Sequence, residues 1–171
     1  MKKFLLALVL LSGAAFSSFA QTSKDGGKFS IGLEAGLPVG NYKDISSFVI
    51  GGSLKYDHPI AEGTFLTLSA GYSKFLSNDD AKALDLKFSG IPVKVGVKYF
   101  FAESFYGEAQ VGAAFTKTSV GSQSNSKTAF AYAPGIGYNL GGGVDIGVRY
   151  EGWSLNGGTA SQVAARLAYS F

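Results

Sequence analysis

Ile91-Pro92-Val93-Lys94-Val95-Gly96-Val97-Lys98-Tyr99-Phe100-Phe101 is the stretch that decides the fold. Ile91, Val93, Val95, Val97, Tyr99 and Phe101 take every second position, with Lys94, Gly96 and Lys98 between them, the period of a strand whose two faces differ. Seven further stretches repeat the pattern, and no 3.6-residue period of comparable length competes. Residues 29–37 set Phe29, Ile31, Leu33, Ala35 and Leu37 against Ser30, Gly32, Glu34 and Gly36, and residues 48–56 set Ile50 and Leu54 against Gly51, Ser53 and Lys55. Leu66, Leu68, Ala70 and Tyr72 oppose Thr67, Ser69, Gly71 and Ser73; within 105–115, Ala109, Val111 and Ala113 oppose Glu108, Gln110 and Gly112. The last three segments oppose Phe130, Tyr132, Ile136 and Tyr138 to Ala131, Gly135 and Gly137, then Val144, Ile146, Val148 and Tyr150 to Asp145, Gly147, Arg149 and Glu151, then Val163, Ala165, Leu167, Tyr169 and Phe171 to Gln162, Ala164, Arg166, Ala168 and Ser170.

Around these segments the composition removes most chemistries. Among 171 residues there is no cysteine and one histidine, His58, so disulfides, thiolate or histidine zinc sites and Cys/His nucleophile pairs are excluded, and no cofactor is implied. Charged residues make up 16%, too few to coat a soluble protein well, while 24 glycines and 14% aromatics favour strands. The length allows one domain.

Met1-Lys2-Lys3, the apolar run from Phe4 to Leu11 and Ser18-Phe19-Ala20 read as a secretory leader at 1–20, cleaved between Ala20 and Gln21. Even residues 4–20 are short for a spanning helix and are interrupted by Gly13 and serines. A polar segment at 21–27 then precedes a barrel domain at 28–171. Without Lys2 and Lys3 the formal +3 falls to thirteen bases against twelve acids, so no nucleic-acid partner is indicated.

The connections alternate in length, as in an up-and-down barrel with short periplasmic turns and longer external loops. Short turns are expected at 57–63, 102–104 and 141–143, and loops at 40–47, 74–89, 116–127 and 153–160. An eight-stranded antiparallel barrel has two forms, a soluble cup with its apolar face inside or a transmembrane barrel with that face outside. The second face here is mostly Gly, Ala, Ser and Thr, which suits a narrow lumen better than a water-facing wall. Aromatics gather at strand ends, with Phe29, Tyr56, Tyr99, Phe101, Phe105, Tyr138, Tyr169 and Phe171 at the periplasmic end. Phe48, Tyr72, Phe115, Phe130, Tyr132, Tyr150 and Trp153 gather at the other, as two interfacial belts require. The expected fold is therefore all-β, an eight-stranded antiparallel up-and-down transmembrane β-barrel. Its lumen would hold four acids, Glu34, Glu108, Asp145 and Glu151, and five bases, Lys55, Lys94, Lys98, Arg149 and Arg166. A turn centred on Glu103 sets Lys98 opposite Glu108 as an ion pair and Lys94 opposite Gly112, sending Lys94 across the lumen.

Taken together, Gly36-Leu37-Pro38-Val39-Gly40, Ile91 to Phe100 and Tyr150-Glu151-Gly152 resemble phrases of the small outer-membrane β-barrel proteins of Gram-negative bacteria, akin in architecture to the OmpA and OmpX barrels. Val163, Ala165, Leu167, Tyr169 and the terminal Phe171 resemble that family's C-terminal assembly signal. The resemblance implies residence in the cell outer membrane, contact with its lipid and lipopolysaccharide, and recognition by the outer-membrane assembly machinery. Because the chain stops at Phe171, a peptidoglycan-binding domain is not implied.

Other motifs point less far. Gly135-Ile136-Gly137 and Gly141 to Gly143 lack the third glycine of a nucleotide-binding loop, since residue 140 is Leu. Asp79, Asp80 and Asp85 lack EF-hand spacing, and Lys74, Lys82 and Lys87 suit either solvation or lipopolysaccharide phosphates. A lipid-modifying enzyme would need His58, expected in a periplasmic turn. The expected role is structural or surface-interacting and non-enzymatic; a narrow pore, a periplasmic carrier of apolar ligands and a lipid-modifying enzyme are the alternatives.

Overall fold

Strands with one apolar and one polar face leave their backbone groups unpaired unless they meet other strands, and closure alone removes every edge. The computed structural model describes residues 26–40, 43, 46–78, 86–121 and 123–171. The leader at 1–20, with Ala20 and Gln21, lies outside the described residues. Eight strands follow: β1 (Lys28–Val39), β2 (Ser46–Ala61), β3 (Thr64–Ser77), β4 (Leu86–Phe100), β5 (Phe105–Val120), β6 (Gln123–Gly141), β7 (Val144–Leu155) and β8 (Gly158–Ser170). Each pairs antiparallel with the next, and β1 pairs with β8 from Ser30 opposite Ser170 to Val39 opposite Ser161, closing the barrel. No helix among the described residues is long and apolar enough to cross a membrane.

The faces are inverted relative to a soluble protein. Leu33 is 74% exposed and Ile136 66%, while Lys94 is 4% and Glu151 1% exposed. A wall of this kind fits hydrocarbon outside and a paired polar lumen inside.

Several boundaries differ from the sequence expectation. β2 runs on through Asp57 and His58 to Ala61, and the turn that was expected at 57–63 shrinks to Glu62-Gly63. The loop expected at 153–160 is a tight turn at Asn156-Gly157, whose φ angles of 49° and 83° are the left-handed pair a two-residue hairpin demands. The expected loop at 74–89 is shorter, because β3 reaches Ser77 and β4 begins at Leu86. That at 116–127 is mostly strand, with β5 and β6 paired as far as Val120 opposite Gln123. At the other end Gly141, Gly142 and Gly143 have φ of 81°, 60° and 84°, a conformation open to glycine and strained for other residues.

Candidate functional site

Parity along the strands decides which side chains enter the lumen. On β7 the inward residues are Asp145, Arg149, Glu151 and Trp153; on β4 they are Lys94 and Lys98, and on β5 Tyr106, Glu108 and Gln110. Glu151 is the hub. Its Oε2 accepts from Lys94 Nζ at 2.9 Å and from Arg149 Nε at 2.6 Å, and its Oε1 accepts from Trp153 Nε1 at 2.8 Å. Arg149 also donates from both terminal nitrogens to Glu34, at 3.1 and 2.7 Å, and Ser53 donates to the same carboxylate at 2.6 Å. Arg166 lies 3.8 Å from Glu34 and donates to Ser53 and Ser30. Nearer the end that carries the Glu62-Gly63 turn, Lys55 meets Glu108 at 3.2 Å, and Lys98 meets Asp57 at 3.0 Å and Asp145 at 4.0 Å.

Two sequence expectations are corrected here. The register does set Lys98 opposite Glu108, and Lys94 opposite Gly112. The ion pair between Lys98 and Glu108 does not form: Lys98 goes to Asp57 on β2, and Glu108 to Lys55 and Gln110. Long side chains converge on the axis of a narrow barrel, where charges from non-adjacent strands lie as close as those next door. Asp57, which the sequence pattern places in a turn, is 9% exposed and joins the lumen, so among the described residues five carboxylates, Glu34, Asp57, Glu108, Asp145 and Glu151, face five cations. The interior is neutral rather than basic.

Trp153 is the second correction. It belongs to no lipid-facing belt: it is 3% exposed and packs inside the end opposite the Glu62-Gly63 turn, against Phe75 and Phe88, with ring centroids 5.6 and 6.0 Å away. Val49, Ala114, Ala129, Ala131 and Ala160 complete this cap. Gly90 makes room for it, since a Cβ there would lie 2.6 Å from the indole. Tyr106, which sequence reasoning passed over, is buried toward the end that carries the Glu62-Gly63 turn. Its hydroxyl donates to Asp145 at 2.7 Å, and its ring lies 5.4 Å from that of Phe100 and 4.3 Å under the Lys98 ammonium. Its even number on β5, in step with Glu108 and Gln110, was the available signal.

Between these two ends lie two small pockets of about 30 Å³ each, a space on the scale of single waters. Outside the cap lies a cup of about 330 Å³, walled by Thr116, Thr118, Asn125 and Lys127 and floored by Trp153 and Phe88. His58 is on β2, exposed, with its Nδ1 3.4 Å from the Tyr56 hydroxyl. Asp79, Asp80, Lys82 and Asp85 lie outside the described residues.

The outward face carries Phe29, Tyr99, Phe101, Phe105 and Tyr169 around one end and Tyr72, Phe115, Phe130 and Tyr150 around the other, all at least 40% exposed, with an aliphatic band between. Comparison with solved structures fits this arrangement. Ail of Yersinia pestis, the attachment invasion locus protein, is 23% identical with a TM-score of 0.61, covering 85% of this chain and 99% of its own; it has also been solved with the heparin analogue sucrose octasulfate. Neisserial surface protein A is 14% identical with a TM-score of 0.57, covering 84% and 97%. The outer membrane enzyme PagL is 15% identical with a TM-score of 0.53, covering 82% and 98%. At these identities the likeness establishes the fold. No curated protein matches the chain. The family model described as "Outer membrane protein beta-barrel domain" matches residues 5–171, nearly the whole chain. With two aromatic belts, an aliphatic wall and a lumen of buried ion pairs, the chain belongs to that family and is a protein of the bacterial outer membrane.

Proposed function

We propose that this barrel is a non-enzymatic, non-conducting outer-membrane protein whose role is structural support and interaction at the cell surface. The observation that supports the reading is the set of buried ion pairs in the middle of the barrel, with rings packed toward both ends. Eight strands leave an interior that side chains just fill, and a neutral ion-pair network gives a solute no vacant charge to follow. Purified protein in planar bilayers should give no stable open channels. Stable openings would favour the narrow pore instead.

Two partners belong to this reading. Lipopolysaccharide is the first, supported by a row of lysines on the outward face. Lys74, Ser89 and Lys117 lie side by side on β3, β4 and β5, and Lys87 stands two residues further out on β4. All three lysines are exposed, just beyond Tyr72, Ile91 and Phe115, at the level where lipid phosphates meet the aromatic belt. The second is the outer-membrane assembly machinery, supported by the outward row Val163, Leu167 and Tyr169 of β8, with Ala165 and the terminal Phe171. Deleting Phe171 should leave the precursor exported but poorly inserted, measured by detergent extraction of envelopes; normal insertion would remove this partner. An enzymatic reading has weaker support, because His58 sits beside Tyr56 only four residues from the Glu62-Gly63 turn, away from the external end.

A further inference from the structure

The charges of the lumen balance, but its hydrogen bonds do not. Among the described residues four buried side-chain atoms have no hydrogen-bond partner: Asp57 Oδ1, Asp145 Oδ2, Gln162 Oε1 and Arg166 Nη1. The two carboxylate oxygens each have an ammonium nearby, Lys55 at 3.9 Å and Lys98 at 4.0 Å. Arg166 Nη1 is the one donor of the four, on a residue only 8% exposed. A buried N–H of a charged group that meets no acceptor is costly, and such groups in folded proteins are matched by a partner.

The shape of the side chain says where this nitrogen points. A guanidinium is a planar fork, and Arg166 commits one edge of it to β1 and β2, donating from Nε to Ser53 at 3.0 Å and from Nη2 to Ser30 at 3.1 Å. Nη1 therefore turns toward β7, the other neighbour of β8. Opposite Arg166 on β7 stands Gly147, and opposite Gly147 on β6 stands Gly137, so that stretch of wall raises no side chain to meet it. What lies there is one of the two pockets of about 30 Å³, bordered by Lys55, Tyr106, Glu108, Ala133, Arg149 and Arg166. Three cations and one carboxylate line it, and that carboxylate already accepts from Lys55 at both oxygens. Glu34 and Glu151, which pair with Arg149, are not among its lining residues. The Tyr106 hydroxyl is turned to Asp145.

We infer that this pocket is a site for one monatomic anion of chloride's size, held by Arg166 Nη1 in the positive field of Lys55 and Arg149. A donor surrounded by cations favours an anionic acceptor over a neutral one, because the field adds to the hydrogen bond. A space on the scale of a single water admits a halide and is too small for sulfate or phosphate. One anion held at one point is no path through the barrel, so the non-conducting reading is tested apart from this site.

The test folds the full chain from urea into detergent micelles and follows its urea midpoint at constant ionic strength as sodium gluconate is replaced by chloride or bromide. An anion that binds only the folded barrel, at about ten times its dissociation constant, raises the folding constant about tenfold, so the midpoint should climb with halide and then level off. Ala133, opposite Gln110 and 2% exposed, borders the pocket without joining any ion pair. Ala133→Val fills the space with methyl groups and should abolish the halide dependence. Arg166→Lys keeps the charge, loses Nη1 and should weaken halide affinity about tenfold or more. Crystals of the unaltered chain grown in bromide should show the anomalous signal of bromine beside Arg166. Equal midpoints in halide and gluconate overturn the inference. So does a halide effect undiminished in either variant, or a crystal whose bromide avoids Arg166; that last measurement needs no variant to fold.

Discussion

Between Glu34 and Glu151 the lumen is filled by charges that hold one another in place, whereas two residues further along β7, at Trp153, it is filled by rings that need only volume. The two regions share a wall and are joined by the hydrogen bond from Trp153 Nε1 to Glu151. They teach different rules of substitution. A buried ion cannot lose its partner without leaving a desolvated charge behind, so the middle tolerates paired changes and resists single ones. A ring cluster answers to shape, so the cap tolerates another ring and resists a hole or a wedge.

The sharpest way to break this contrast is Glu151→Gln, which withdraws the carboxylate that Lys94 and Arg149 share. It should cost about 3 to 5 kcal/mol, read as a fall in the urea midpoint of the barrel folded in lipid. A loss no greater than that of an ordinary surface change would mean that the ions are hydrated and the middle is not a closed network.

The next test asks which ions hold each other. Lys98→Asp alone and Asp57→Lys alone should each destabilise by about 3 kcal/mol, and the double exchange should recover much of the loss, because the two groups lie 3.0 Å apart. Exchanging Lys98 with Glu108 should recover little, although they face each other in register, since each is bonded elsewhere. Thermal unfolding midpoints of the two double variants separate pairing across the lumen from pairing along the sheet.

In the cap, Gly90→Ala should cost about 1 to 3 kcal/mol by pushing the indole off its seat, with Trp153 emission shifting as its surroundings loosen. Trp153→Phe should cost least, about 1 to 2 kcal/mol, since a ring remains and what is lost is the bond to Glu151. If Trp153→Phe proves as harmful as Glu151→Gln, the cap and the network are one unit and the contrast fails.

Much of this was legible in the chain, for a physical reason. A lipid-facing wall must be apolar at every second residue, and that constraint wrote the strands crossing the bilayer into the alternation of Ile91 to Phe101 and its counterparts. The same parity assigned Glu34, Lys94 and Glu151 to the buried face before any partner was known. It also held the answer for Trp153, which shares odd numbering with Glu151 on β7; proximity to a strand end was the weaker guide. The arm of β5 and β6 escaped notice because both its faces are polar: Thr116-Lys117-Thr118-Ser119 and Ser124-Asn125-Ser126-Lys127 carry no contrast for a period to reveal. Asn156-Gly157 was an overlooked signal, being a strong two-residue hairpin pair. The ion pairs themselves were beyond reach, since a strand pattern gives each residue's neighbours along the sheet but not the groups facing it from the opposite wall.

The first strand contributes one charged side chain to the lumen ion pairs described, Glu34, and its cationic partners Arg149 and Arg166 come from the last two strands. Glu34 thus works as a latch on the seam where the two ends of the chain meet. A sheet that has formed all its hairpins but not yet joined β1 to β8 leaves Arg166 without a carboxylate and Arg149 with only Glu151. Closing the cylinder satisfies both guanidiniums in one movement, so the order of assembly is written into the charges as well as into the strands.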